Sequence, residues 1–189
     1  FTTSVSIGDM YSVMYGPGYD FYTKDEDAVY GCDMKAGTKT EVFNFINSDI
    51  ESNAVNYMAV ISADEFIASG WDSDTQTDII TRFTRIPDDQ VAQKTIITMS
   101  TPILYYDIRR KVIKFNKSSD TYRIVVTDYS QYNTEDDYNA CNTRFNNDLI
   151  SGKVPDIIIV TAELNYDSYV SKDLFTDLYK IMDNDPSFN

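Results

Sequence analysis

The hydrophobic period of this chain changes at Pro87, and that change limits the folds open to it more than any other feature. From Phe1 to Ile86 short alternating or aromatic-rich runs are separated by turn residues, and no long stretch has helical spacing. The runs fall at 2–7 (TTSVSI), 10–15 (MYSVMY), 19–23 (YDFYT), 28–34 (AVYGCDM), 40–45 (TEVFNF), 55–61 (VNYMAVI), 65–71 (EFIASGW) and 77–86 (TDIITRFTRI). Such spacing predicts an antiparallel β meander over residues 1–87. The punctuation has a mechanism. Side-chain acceptors in Lys24–Asp27, Ala63-Asp64 and Asp72–Thr75 can close turns, and Gly37 is free to take positive φ.

Residues 88–93 are polar and read as a linker, after which 94–189 alternate between strand and helix patterns. KTIITMS (94–100) is a continuous apolar run of the kind buried on both faces of a parallel sheet. A helix is expected over 103–117 with Leu104, Ile108, Val112 and Phe115 on its apolar face, and YRIVVTD (122–128) is the next strand. Thr134 and Asp137 resemble a capping box for a second helix with Tyr138, Cys141, Phe145 and Leu149 on its inner face, which makes Cys141 a core residue. Gly152 is placed to end that helix, and DIIIVT (156–161) forms a third strand. Residues 166–183 read as two short helices anchored by Tyr169, Val170, Leu174, Leu178 and Ile181. The expected fold is therefore α+β, an antiparallel β meander followed by a parallel β-α-β-α-β unit.

Composition removes several function classes. The 189 residues carry 16 Lys+Arg against 30 Asp+Glu, a formal charge of −14, which opposes binding to nucleic acid or to an anionic bilayer. No apolar run approaches the roughly 18 residues that would span a membrane. Histidine is absent, so Ser-His-Asp and Cys-His nucleophile systems are excluded and the commonest zinc ligand is missing. Cys32 and Cys141 stand far apart without a CxxC, and each reads as an idle thiol. No metal or other cofactor is expected. Asp72-Ser73-Asp74 with Asp78 lacks the glycine and glutamate of an EF-hand loop and reads as a hairpin turn. Asp128 and Glu163 would be the pair for a glycosidase, but abundant carboxylates make such pairs commonplace, and a non-catalytic protein is expected. FTTSVSIG at the start lacks the pattern of a signal peptide.

Ligands of open parallel sheets bind beyond the carboxyl ends of the strands. That rule selects the loops 101–105, 129–133 and 162–166, and within them Thr101, Tyr105, Tyr129, Tyr132, Glu163, Asn165 and Tyr166 as candidate ligand-binding residues. Tyrosine rings offer stacking faces, while Glu163 and the amides offer partners for hydroxyls, a mixture suited to polyhydroxylated solutes. The aromatic content, fifteen Tyr and ten Phe with one Trp, fits both β-sheet composition and glycan binding.

Phe115-Asn116-Lys117, the strand Tyr122 to Tyr129, Ile150-Ser151-Gly152-Lys153 and Pro155-Asp156-Ile157 occur in an order that resembles the first lobe of extracellular solute-binding proteins of ABC importers. Residues 28–50 resemble a strand pair of a propeller blade, and a repetitive β domain precedes the binding lobe in one architecture of that group. The resemblance implies a small-molecule solute, an oligosaccharide among the candidates, an ABC transporter permease as partner, and a cell-surface location through a lipid anchor. It also implies a second lobe, so the chain reads as a fragment. The alternative is a non-catalytic surface module in which the aromatic β-rich half binds glycan or protein.

Overall fold

A computed structural model describes residues 12–161, 164 and 166–185, the side chains of Ser12, Asp88 and Tyr166 excepted. The protein is mixed α/β, with antiparallel sheets, a parallel sheet and, among the described residues, four helices. The run expected at 2–7 lies outside the described residues.

β1 (Ser12–Met14), β2 (Phe21–Lys24), β3 (Ala28–Asp33) and β4 (Thr38–Asn44) form a four-stranded antiparallel sheet in chain order. β5 (Tyr57–Ser62), β6 (Glu65–Asp72) and β7 (Thr77–Thr84) form a three-stranded one, also in chain order. The turns form as their side chains dictate. Asp25 Oδ1 accepts the N–H groups of Asp27 (3.0 Å) and Ala28 (2.9 Å), and Asp72 Oδ1 accepts those of Asp74 (2.8 Å) and Thr75 (3.3 Å). These Asx turns close the β2–β3 and β6–β7 hairpins. Gly37 takes φ 69° between β3 and β4. Met14, Tyr22, Val29, Phe45, Val55, Met58 and Ala68 make one core from residues of both sheets. Across it Phe43, Phe66 and Phe83 stack at centroid distances of 4.9 and 4.8 Å.

β8 (Thr95–Thr101), β9 (Tyr122–Asp128) and β10 (Ile157–Ile158) form the third sheet in the order β10-β8-β9, with β10 parallel to β8. Burial of β8 differs from the sequence expectation. Met99, Ser100 and Thr101 are buried, but Ile96 is 50% exposed. The third strand is two residues long and pairs with Met99 and Ser100, so among the described residues the start of β8 has no strand on that side. Asp156 fixes the pairing: its Oδ2 accepts from Thr98 N–H (2.8 Å) and Thr98 Oγ1 (2.7 Å).

The chain divides into two compact units, one running up to Ile96 and including Tyr105–Val125, the other made of Ile97–Leu104 and the residues from Val126 onward. α1 (Tyr106–Ser118) thus belongs with the β-rich unit, although it follows β8 in sequence. Its buried residues are Arg109, Val112, Ile113 and Asn116, a face rotated from the predicted Leu104, Ile108, Val112 and Phe115. Polar partners account for the rotation. Arg109 Nη2 meets Asp27 at 2.6 Å, Arg110 meets Glu51 (3.3 Å) and Asp74 (3.1 Å), and Asn116 exchanges hydrogen bonds with the backbone of Ile124 at 2.7 and 2.9 Å. Buried polar groups are tolerated where such partners satisfy them.

In the second unit α2 (Ala140–Ile150) buries Cys141, Phe145 and Leu149 as the spacing predicts. Its start does not follow the sequence expectation. Thr134 Oγ1 accepts the Asp137 N–H (3.0 Å), but that turn precedes the helix, and Asn133 Oδ1 instead caps the Cys141 N–H at 2.9 Å. Tyr138, left outside the helix, is 77% exposed. The helix ends in a Schellman motif, with Gly152 at φ 90°, Lys153 N–H bonded to Asp148 O and Gly152 N–H to Leu149 O. α3 (Tyr166–Val170) and α4 (Leu178–Met182) match the two short helices expected. Of their proposed anchors Tyr169 is buried and Leu174 packs beside it, whereas Val170, Leu178 and Ile181 are exposed. Tyr129, Cys141, Phe145, Leu149, Leu164 and Tyr169 form this unit's own core. No helix among the described residues is long and apolar enough to cross a membrane.

Candidate functional site

Of the residues singled out in the sequence, Thr101, Tyr129 and Tyr132 come together in the second unit. Thr101 is fully buried, its hydroxyl donates to Ile103 O at 2.7 Å, and its carbonyl accepts the Tyr129 N–H at 3.0 Å. Tyr129 is 7% exposed, lies edge-on to Phe145, and donates its hydroxyl to Asp148 Oδ2 at 3.0 Å. Burial, followed by that carboxylate, pushes its phenol up to about 12. Desolvation works against the charge of Asp148, but Lys153, the Tyr129 hydroxyl and Arg144 outweigh it and hold the carboxyl below its usual range. Tyr132 is half-exposed, with the Arg144 guanidinium 5.4 Å from its ring centroid. Thr101 and Tyr129 have therefore committed their polar atoms to the fold, and Tyr132 alone of the three presents much surface. Tyr105 is exposed in the other unit, where its carbonyl accepts the N–H groups of Ile108 and Arg109 in the first turn of α1. Glu163 and Asn165 lie outside the described residues, as does the side chain of Tyr166. Asp128 accepts the Ser130 N–H at 2.9 Å in a turn of its own.

The β-rich unit contains a groove of about 460 Å³ lined by Lys24, Asp25, Glu26, Ser52, Asn53, Asn56 and Tyr57. Its size falls inside the range of roughly 300–1,000 Å³ typical of small-molecule sites. One wall is the end of β2 with the Asx turn after it. The other is the short 3₁₀ turn Ser52–Ala54 with the start of β5. Gly70 on β6 lets that turn approach: a Cβ there would meet the backbone of Ala54 and Asn53 at 2.2–2.5 Å. Asn53 is held from behind, its Nδ2 donating to Ser73 Oγ (2.8 Å) and Tyr106 hydroxyl (3.1 Å). Lys24 Nζ crosses to donate to Ser52 O at 3.1 Å.

The groove's electrostatics are uneven. Asp25 Oδ1 is taken by two backbone N–H groups and its Oδ2 lies 3.7 Å from Lys39 Nζ, so most of its charge is answered. Burial lowers the pKa of the Lys24 ammonium. The Tyr30 phenol rises, chiefly through burial and then through the charge and hydrogen bond of Asp25. Tyr57 presents its ring to solvent, 72% exposed. The groove thus offers an ammonium, carboxylates, the Asn56 amide, a serine and an aromatic face at one place.

Among the described residues no group of three or more His, Cys, Asp or Glu side chains is placed to hold a metal ion. Both cysteines are buried, and burial pushes the Cys32 thiol up. Nothing in the spacing of the sequence points to the groove, because its walls lie some 30 residues apart and meet only through the packing of two sheets. The exposed Tyr57 beside Asn53 and Asn56 is the one local signal of it in the chain. Comparison with protein-family models, with curated proteins and with solved structures gives no match to this chain in any of the three.

Proposed function

We propose that the chain is a non-catalytic, cell-surface binding module that takes carbohydrate through its β-rich unit. The observation that carries this reading is the groove between Lys24–Glu26 and Ser52–Tyr57, in which amide and hydroxyl partners stand beside an exposed tyrosine ring. Sugars present alternating hydroxyl and C–H surfaces, and this combination answers both. In this reading the two antiparallel sheets correspond to consecutive propeller-like blades, which matches their chain order and shared core.

A second reading makes the chain the solute-binding component of an ABC importer, lipid-anchored and partnered by a permease, with its α/β part as the beginning of a periplasmic-binding-protein lobe. The parallel pairing of β10 with β8 favours it, together with the placing of Tyr132 just beyond the carboxyl end of β9.

Titration of the 189-residue chain with neutral oligosaccharides separates the two. Tyr57→Ala and Asn56→Ala are expected to weaken binding about tenfold each, the worth of a stacking face or a hydrogen bond with its alignment. Tyr132→Ala is expected to leave it within about twofold. The opposite pattern moves the site to the α/β unit, and absence of carbohydrate binding removes the first reading.

A further inference from the structure

We infer that the free edge of β7 is an interaction surface for a second copy of this chain, whose own β7 joins it antiparallel about a two-fold axis at Ile80. β7 borders its sheet, and among the described residues it has a strand on one side only, β6. The edge is regular. Every residue from Thr77 to Thr84 pairs with β6 without a register shift and none is proline, whereas the opposite edge strand, β5, has an irregularity between Val60 and Ser62. Such an unbroken edge is a template for another strand, because its outward N–H and C=O groups have no partner within the sheet.

The pairing decides which groups face outward. Arg85 N–H donates to Asp64 O at 2.8 Å, one residue beyond the Glu65–Thr84 pair, and the bonds of an antiparallel ladder alternate, so the odd-numbered residues of β7 turn to β6. The N–H and C=O groups of Asp78, Ile80, Arg82 and Thr84 therefore point away from the sheet. Their side chains share the face opposite to Phe83 and the core, where Ile80 is 81% exposed. A second β7 must set its own even-numbered residues against these, so the axis passes through a residue and not between two. With the axis at Asp78 or Arg82 like charges face each other, and with it at Ile79 or Thr81 a charge faces Ile80 or has no charge opposite it. With the axis at Ile80, Asp78 of each copy stands opposite Arg82 of the other, and the two Ile80 side chains meet between these pairs. Cross-strand pairs of opposite charge and of β-branched residues each stabilise a sheet, and like charges directly opposite destabilise it. Arg82 can take part without leaving its own chain's Glu65, which meets its Nε at 2.8 Å: the side chain is 68% exposed, and a guanidinium carries further donors on its Nη atoms. The interface is self-complementary, as a two-fold pair requires.

Sedimentation velocity on the intact chain tests this, at about 0.15 M salt, where the long-range repulsion between copies carrying a net charge of −14 is largely screened. The expected result is a reversible monomer–dimer equilibrium. Asp78→Lys and Arg82→Glu each set like charges opposite one another on both sides of the axis, and each is expected to weaken association about tenfold or more. Mixed in equal amounts, the two variants again set opposite charges across both pairs, so the mixture is expected to recover association close to the parent's. Ile80→Lys, at an exposed position outside the core, puts like charges on the axis and is expected to weaken association by a similar factor, which keeps the test decisive if Arg82→Glu does not fold. A parent that stays monomeric at every concentration, association that survives Asp78→Lys and Ile80→Lys, or a mixture of folded variants no more associated than its components overturns the inference.

Discussion

At the scale of single residues, the polar atoms that the sequence offers as ligand contacts and those that hold the fold are partly the same atoms. Tyr129 shows this most clearly. Its ring sits in the core of the second unit and its hydroxyl bonds to Asp148, whose charge is shared with Lys153 and Arg144. Tyr129→Phe is expected to cost about 1–2 kcal/mol by urea unfolding at neutral pH, the worth of a hydrogen bond to a charged acceptor that keeps its other partners. The pH dependence has a definite sign. The folded phenol is pushed up to about 12, above the value near 10 of an unfolded tyrosine, so its contribution is whole below about pH 10 and is lost as pH rises toward 12. The cost of Tyr129→Phe should therefore shrink between pH 9 and 12, and a cost constant across that window would mean that the hydroxyl is not held as described. Asn116 and Asp156 also spend their polar atoms on the fold. Each is a structural tie here, Asn116 to the Ile124 backbone and Asp156 to Thr98.

The elements separate what was legible in the sequence from what was not. All seven strands expected from residue 10 to residue 86 are present, because alternation and Asx-type turn chemistry are local signals that tertiary packing did not override. α2 was legible along Cys141, Phe145 and Leu149 for the same reason, but its start was not, since the cap comes from Asn133 rather than from Thr134. α1 was legible as a helix and not as a face. An apolar count sets Arg109 and Asn116 aside as surface, yet both are buried because Asp27 and the Ile124 backbone receive them. Ile113→Ala is accordingly expected to cost about 2–5 kcal/mol, and Ile108→Ala about 1 kcal/mol or less, by denaturant unfolding. Equal costs would restore the periodic reading of the helix. The groove was illegible for a related reason: Gly70, which admits its 3₁₀ wall, looks in sequence like any strand glycine. Gly70→Ala is expected to destabilise the β-rich unit by about 1–3 kcal/mol through overpacking and to weaken sugar binding, because the Ser52–Ala54 wall of the groove is pushed from its place. Sugar affinity unchanged in that variant would detach the groove from ligand binding.

For the whole molecule the governing fact is that the described residues form two cores, each made by its own unit. The sequence suggests two parts from the change of period at Pro87, but it assigns α1 to the later part, whereas in the structure it joins the earlier one, with Arg109 on Asp27, Arg110 on Glu51 and Asp74, and Asn116 Nδ2 donating to Asp49 Oδ1. Separate cores give separate stabilities where no single transition couples them. The lone tryptophan makes this measurable: Trp71 lies on β6, so its fluorescence reports the β-rich unit alone, whereas far-ultraviolet circular dichroism reports the helices of both. Phe145 is 1% exposed in the second core, and Phe145→Ala is expected to cost that unit about 3–5 kcal/mol. The Trp71 transition in urea should then stay within about 0.5 kcal/mol of the parent, since distant sites without shared partners act additively, while part of the helical signal is lost at lower urea. If both probes shift together by the full amount, the two cores unfold as one cooperative body. The β-rich unit would then lack a stability of its own, and its groove would depend on the α/β part for more than α1.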